Sequence, residues 1–307
     1  MSKILVTGGA GFIGSHLVDL LLERGNEVTV VDNLSAGKRE NVNPDAEFIK
    51  GDLKDKEFVM ENVKGFDVVY HLAANPDVRL GEEDKEVHVR ENILVTHNIL
   101  EAMRINGVKK IAFTSTSAVY GIARVIPTPE SYGPLMPISL YGASKLGAEA
   151  LICAYSEFGI QSWIFRLANI IGPRSTHGVI IDFIKKLDKN PEELEVLGDG
   201  NQTKSYLYVK DCVEAMCFAV ERANEKINIF NIGSQDTITV REIAELVIER
   251  KSPGARIRFT GGTQGWKGDV PKFLLDITKI RELGWEPKHD SRNSVIKTIE
   301  GILNEKL

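Results

Sequence analysis

Tyr141 and Lys145 stand four residues apart in the run Tyr141-Gly142-Ala143-Ser144-Lys145. On a helix that spacing puts a phenol and an ammonium on one face, within reach of a single ligand. An unperturbed phenol, with a pKa of about 10, keeps its proton at neutral pH, and a cation beside it favours the phenolate. The pair could therefore take a proton from a hydroxyl and later return it. Alone it reads better as a partly exposed helix face, so its meaning depends on what the chain brings beside it.

A glycine-rich turn supplies that context. Thr7-Gly8-Gly9-Ala10-Gly11-Phe12-Ile13-Gly14 joins an apolar strand, Ile4-Leu5-Val6, to a helix with a Leu17, Leu20, Leu21 stripe that Gly25 can end. Gly8, Gly11 and Gly14 permit a tight turn and close approach of backbone to phosphate, and the helix N-terminus offers N–H donors to a pyrophosphate. A second strand closes on Asp32, whose carboxylate can accept from two ribose hydroxyls and repels a 2′-phosphate. The expected cofactor is NAD rather than NADP. Asp32 also opens the turn Asp32-Asn33-Leu34-Ser35-Ala36-Gly37, a role compatible with ligand binding.

Short β-branched runs alternate with helical patterns: Ile4 to Thr7, Glu27 to Val31, Glu47 to Lys50, Asp67 to Ala73, Lys110 to Ser115 and Ser162 to Ala168. The fold class expected is α/β, a Rossmann-type doubly wound parallel sheet with a smaller α/β carboxy-terminal substrate domain. After Gly172-Pro173 come a helix from Val179 to Lys189, a break at Pro191, a loop at Gly198-Asp199-Gly200, a strand from Asn228 to Ile232 and a helix from Val240 to Glu249. The expected domains are residues 1–172 with about 206–233 for the cofactor, and 173–205 with 234–307 for the substrate.

The chain has 307 residues, a net charge of -5 and no dense Lys/Arg block, which argues against nucleic acid or an anionic membrane as partner. No signal-peptide pattern or membrane-spanning run is expected. Cys153, Cys212 and Cys217 form neither a disulfide framework nor, lacking matching His or Cys spacing, a metal site. A reducing cytoplasm is the expected compartment.

Taken together, the TGGAGFIG turn, the DNLSAG loop, Gly51-Asp52-Leu53, His71-Leu72-Ala73-Ala74, Thr114-Ser115-Thr116-Ser117-Ala118-Val119-Tyr120-Gly121 and YGASK resemble the extended short-chain dehydrogenase/reductases of the NAD-dependent epimerase/dehydratase family. Arg166 to Arg174, Gly198 to Asp211 and Gly265-Trp266-Lys267-Gly268-Asp269-Val270 are similar to its nucleotide-sugar branch, above all the archaeal-type UDP-hexose 4-epimerases. The resemblance covers nearly the whole chain. It implies Thr116, Tyr141 and Lys145 as the catalytic group. It assigns Phe12 and Ile13 to the pyrophosphate, Asp32, Asn33, Leu34, Ser35, Ala36 and Gly37 to the adenosine ribose, and Asp52 and Leu53 to the adenine. Leu72, Ala73, Ala74, Asn92 and Thr114 fall along the route to the nicotinamide.

The activity implied is interconversion of UDP-glucose and UDP-galactose: NAD takes a hydride from C4, Tyr141 takes the hydroxyl proton, and the 4-keto sugar turns over before both return. Asn169 and Lys204 are implied for the diphosphate, Gln202 lies nearby, and the backbone of Glu195-Val196-Leu197 would cradle uracil. Lys204-Ser205 replaces the Arg-Asp of many relatives, and Gln264 stands where an arginine is common, with Lys267 as a substitute. Phe273 falls where relatives gate bulky 2-substituents, which implies preference for hexoses without an N-acetyl group. Dehydratases of this kind carry an Asp-Glu pair beside the threonine; Ser117 and Ala118 occupy those places. A decarboxylase, another epimerase, or a non-catalytic NAD-responsive binding protein on the same fold are the alternatives. A homodimer through helices including the one with Tyr141 is also implied.

Overall fold

The computed structural model describes residues 1–262 and 272–305. The expected runs form a parallel sheet of seven strands: β1 (Lys3–Thr7), β2 (Glu27–Asp32), β3 (Glu47–Lys50), β4 (Val68–His71), β5 (Lys110–Thr116), β6 (Gln161–Leu167) and β7 (Ile227–Ile232). Their order is β7-β6-β5-β4-β1-β2-β3, with every pairing parallel. Sequence order reverses at β1, so the connections leaving β1 and β4 go to opposite faces and open a crevice at their carboxyl ends. Thr7, the last residue of β1, lies in register between Val31 and His71 at the head of that crevice.

Apolar side chains point to both faces of the buried strands, as a parallel sheet requires. On one side α1 (Phe12–Glu23) brings Leu17 and Val18 against Val6 and Val30. On the other, α2 (Lys56–Asn62), α3 (Val95–Asn106) and α4 (Leu140–Tyr155) pack Val59, Ile99 and Ile152 around Leu5 and Phe113. Strand β4 stops at His71 instead of running to Ala73. Leu72 N–H still donates to the Thr7 carbonyl at 3.1 Å, but Ala73 N–H turns to the Thr7 hydroxyl at 3.3 Å, so Leu72–Ala74 leave the ladder and line the crevice.

A separate core gathers Ile180, Phe183, Ile184 and Leu187 of α5 (Val179–Lys189) with Leu194 and Val196 of a strand at Glu193–Val196. Opposite them, after α6 (Val209–Arg222), lie Ile243, Leu246 and Val247 of α7 (Val240–Lys251) and Val295 and Ile299 of α8 (Ser291–Glu305). Thr239 and Glu242 close a capping box at the start of α7, fixing where this helix begins. Gln264 and the Gly265–Val270 motif, including Lys267, lie outside the described residues.

Candidate active site

Helix α4 starts where it does because Ser139, in extended conformation, accepts the Gly142 N–H on its hydroxyl at 3.0 Å. That bond satisfies one of the donors a helix start leaves bare and puts Tyr141 in the first turn. Gly142 is required by its surroundings. A Cβ there would stand 2.8 Å from the Ala118 carbonyl oxygen and 3.1 Å from Pro137, so only glycine lets the helix rest on the turn after Thr116.

Thr116 ends β5, and its hydroxyl oxygen accepts the Ala118 N–H at 3.2 Å. Its proton is then available to the Tyr141 phenol, whose ionised form it favours. Lys145, one turn after Tyr141, is only 3% exposed, and its ammonium sits 4.2 Å from the centroid of the Phe113 ring on β5. Thr116, Tyr141 and Lys145 are thus brought together at the carboxyl end of β5 by a cap, a glycine contact and a cation–π contact.

Burial pushes the Tyr141 phenol above its ordinary value, and the bond from Thr116 draws it part of the way back. Burial lowers Lys145 from 10.5 to about 7, opposed by the charge of Glu149. From helical spacing alone, the lysine is expected to draw the phenol down. In the chain by itself both groups are pushed towards neutrality, because each has lost the water that stabilised its charge.

Glu149 was absent from the sequence reading. Its carboxylate, nearly fully buried, takes the Arg166 guanidinium at 2.7 and 3.1 Å and is also the acceptor of the Ser115 hydroxyl. Glu149 thereby ties α4 to β6 through Arg166 and to β5 through Ser115, one turn beyond Lys145. Two signals were available: a carboxylate four residues after Lys145, and a lone arginine inside the apolar run Trp163-Ile164-Phe165-Arg166-Leu167.

The crevice at β1 has the form of a dinucleotide cradle. Gly8 has φ of 73°, and a Cβ on it would lie 2.7 Å from Ala73 N, so turn and loop close on each other only with glycine there. Helix α1 has no side-chain cap and no acid in its first turn, leaving its N–H groups to an anion such as pyrophosphate. Asp32 accepts from Ala10 N–H at 3.0 Å and Leu34 N–H at 2.8 Å, fixing the turn to the loop that follows. A carboxylate has about four acceptor sites, so capacity remains for two ribose hydroxyls.

Other expected cofactor residues take distinct places. Lys38 N–H donates to the Ala10 carbonyl at 3.0 Å, so the stretch Asn33, Leu34, Ser35, Ala36 and Gly37 folds back over the turn. Asp52 is partly exposed and accepts the Lys54 N–H at 2.9 Å, while Leu53 is buried in the core. Leu72, Ala73 and Ala74 are half-buried along the crevice, and Thr114 is buried inside β5. Asn92 is 2% exposed; its side-chain oxygen accepts Asn75 N–H at 2.7 Å. It clamps the loop after Ala74.

On the substrate side, the Asn169 amide donates to the Ser205 carbonyl at 3.0 Å, which brings it beside the strand Thr203–Lys204. Phe273 pairs in register with Lys204 and also packs against the main core. Gln202 is 4% exposed, and neither atom of its amide group has a hydrogen-bond partner among the described residues. Of the expected uracil cradle, the carbonyls of Glu195 and Val196 are already engaged by Lys186 Nζ at 3.1 Å and Thr260 N–H at 3.0 Å. Leu197 beyond them is exposed.

The family model described as NAD dependent epimerase/dehydratase family matches residues 4–233. A crystal structure of a UDP-galactose 4-epimerase is 47% identical with a TM-score of 0.89 and covers 99% of both chains. That of UDP-glucose 4-epimerase with UDP-glucose from the hyperthermophilic eubacterium Thermotoga maritima is 37% identical with a TM-score of 0.91, over 99% of this chain and 100% of that one. UDP-glucuronic acid decarboxylase 1 of Arabidopsis thaliana is 36% identical, over 98% of this chain and 70% of its own length.

Proposed function

Because this chain belongs to the NAD dependent epimerase/dehydratase family, we propose that it interconverts UDP-glucose and UDP-galactose by oxidising and then reducing C4 of the bound hexose. The observation that carries this reading is the meeting of Thr116, Tyr141 and Lys145 beside a cradle that fits NAD. The cradle offers Gly8 and the bare first turn of α1 to the pyrophosphate and Asp32 to the ribose. When bound, NAD supplies both the oxidant and the reductant for C4, so no second redox substrate is consumed.

Tyr141 takes the proton of the 4-hydroxyl as the ketone forms and gives it back from the same oxygen. Thr116, whose oxygen is held by Ala118 N–H, directs its own proton to the oxygens involved. Lys145 holds the nicotinamide ribose and tunes the phenol. Ser117 and Ala118 offer no carboxyl to remove a proton elsewhere on the ring, which disfavours elimination. Asn169, Leu197, Gln202 and Lys204 hold the nucleotide while the hexose stays loosely held and free to turn. Residues 1–172 with about 206–233 serve as the NAD domain and the rest as the sugar domain, a division supported by the separate core around Phe183 and Leu246.

A homodimer fits the outer face of α4, where Ala143, Ala150 and Ala154 are exposed. No described helix is long and apolar enough to cross a membrane; three free cysteines fit a reducing cytoplasm. The test is UDP-galactose incubated with purified protein without added reductant. UDP-glucose should form, and Tyr141→Phe should slow it by about a thousandfold. No turnover with NAD still bound would favour a binding protein, and release of carbon dioxide from UDP-glucuronate would favour the decarboxylase chemistry of the Arabidopsis relative.

A further inference from the structure

A buried chain of hydrogen bonds joins the cofactor turn to the catalytic helix, with His71 at its middle. The Ala73 N–H donates to Thr7 Oγ1 at 3.3 Å, and that oxygen lies 2.7 Å from His71 Nδ1. Across the ring, His71 Nε2 is 3.1 Å from Thr96 Oγ1, which donates to the Asn92 carbonyl at 2.7 Å. The Asn92 amide donates to Ser144 Oγ at 2.9 Å, and Ser144 donates to the carbonyl of Tyr141 itself at 2.7 Å.

The donors and acceptors leave one arrangement for the ring. A hydroxyl has a single proton. Thr96 gives its proton to Asn92, so it accepts from His71, which places a proton on Nε2. His71 is fully buried, stacked on Phe113 with centroids 5.7 Å apart, and faces the charge of Lys145 from α4. Burial and that neighbour lower it to about 3, so Nδ1 carries no proton and accepts from Thr7.

We propose that His71, as the neutral Nε2–H tautomer, is a positioning residue that sets the spacing between the cofactor turn, held through Thr7 and Ala73, and the helix that carries Tyr141. Reacting atoms must be placed to within about half an ångström, and an error of about 1 Å costs on the order of a hundredfold in rate. His71 touches neither sugar nor phenol, so its effect should fall on kcat. The inference rests on the epimerase reading for its rate assay, and on the ring itself for its second measurement.

In the NAD-loaded enzyme with 15N-labelled histidine, one ring should be neutral with its proton on Nε2 and unchanged from about pH 5 to about pH 8, where an ordinary histidine titrates. Thr96→Val, which removes only the hydroxyl of the joint, should lower kcat about tenfold with KM for UDP-galactose within about twofold, and Thr96→Ser should stay within about twofold of the parent. His71→Leu should lose about a hundredfold. A folded Thr96→Val enzyme with unchanged kcat, a loss confined to KM, or a His71 ring that is protonated on Nδ1 near neutral pH overturns the proposal. If Thr96→Val or His71→Leu does not fold, the tautomer of the wild-type ring decides. If the wild type does not epimerise UDP-galactose, the proposed function fails and the tautomer still judges the joint.

Discussion

Asp32 and Asn92 on the cofactor side of the proposed cleft and Gln202 on its sugar side differ in how completely the chain satisfies their polar groups. Asp32 bonds to Ala10 and Leu34 and Asn92 bonds to Asn75, so these two side chains of the crevice are held by protein backbone. Gln202, on the sugar side, is buried with its amide nitrogen and oxygen both unpaired among the described residues. An unpaired buried polar group costs about 1–3 kcal/mol; Asp32 and Asn92 avoid that cost, whereas Gln202, and on the cofactor side His88 Nε2 beside Tyr141, bear it. On the proposed function, the contrast between Asp32 and Gln202 fits a preformed cofactor cradle and a substrate region with hydrogen-bonding capacity in reserve.

That contrast can be broken most sharply at Lys145. Lys145→Met should lower kcat by about a hundredfold or more, measured with UDP-galactose, because the ribose contact and the charge beside the phenol both go. The same variant should be more stable than the parent at neutral pH. Lys145 has a folded value of about 7 against an ordinary 10.5. Between those values the unfolded chain binds more protons than the folded one, so this residue's destabilisation is fully present below pH 7 and fades towards pH 10.5. Melting temperatures of parent and variant should therefore converge as pH rises through that window, and parallel curves would contradict the burial argument.

Asp32→Ala should have the next effect. It removes two bonds that shape the crevice and the acceptor for the ribose, and bonds to a charged group are worth about 1.5–3 kcal/mol each. NAD affinity, followed by quenching of protein fluorescence, should fall by about ten- to a hundredfold. Gln202→Leu should have the smallest effect. With the unpaired amide gone the protein should melt a few degrees higher, at about 2–4 °C per kcal/mol, while KM for UDP-galactose rises about threefold. A higher melting temperature with no change in KM would remove Gln202 from the substrate site.

Sequence patterns reached furthest where function depends on neighbours along the chain. Strand, glycine turn, helix and Asp32 form one βαβ unit, and Tyr141 and Lys145 share one helix, so spacing alone put each pair on one side of an element. The strand runs were legible because alternation of β-branched runs with helical stripes is a local property; the end of β4 was misplaced by two residues because the Thr7 hydroxyl, from another strand, takes over its hydrogen bonding. Glu149 and Arg166 were not found because their tie is made between a helix and a strand brought together only on folding.

By itself, then, the sequence determined the cofactor turn, the carboxylate that favours NAD, the helical spacing of phenol and lysine, and the parallel sheet that carries them. Each follows from backbone geometry over a few residues. Tertiary structure decided that Lys145 is stripped of water and lowered to about 7, that Asn92 serves as a clamp, that the Glu195 and Val196 carbonyls accept from Lys186 and Thr260, and that His71 has one tautomer. These depend on burial and on partners distant in sequence, since a side chain's charge and proton are set by whatever the fold places against it.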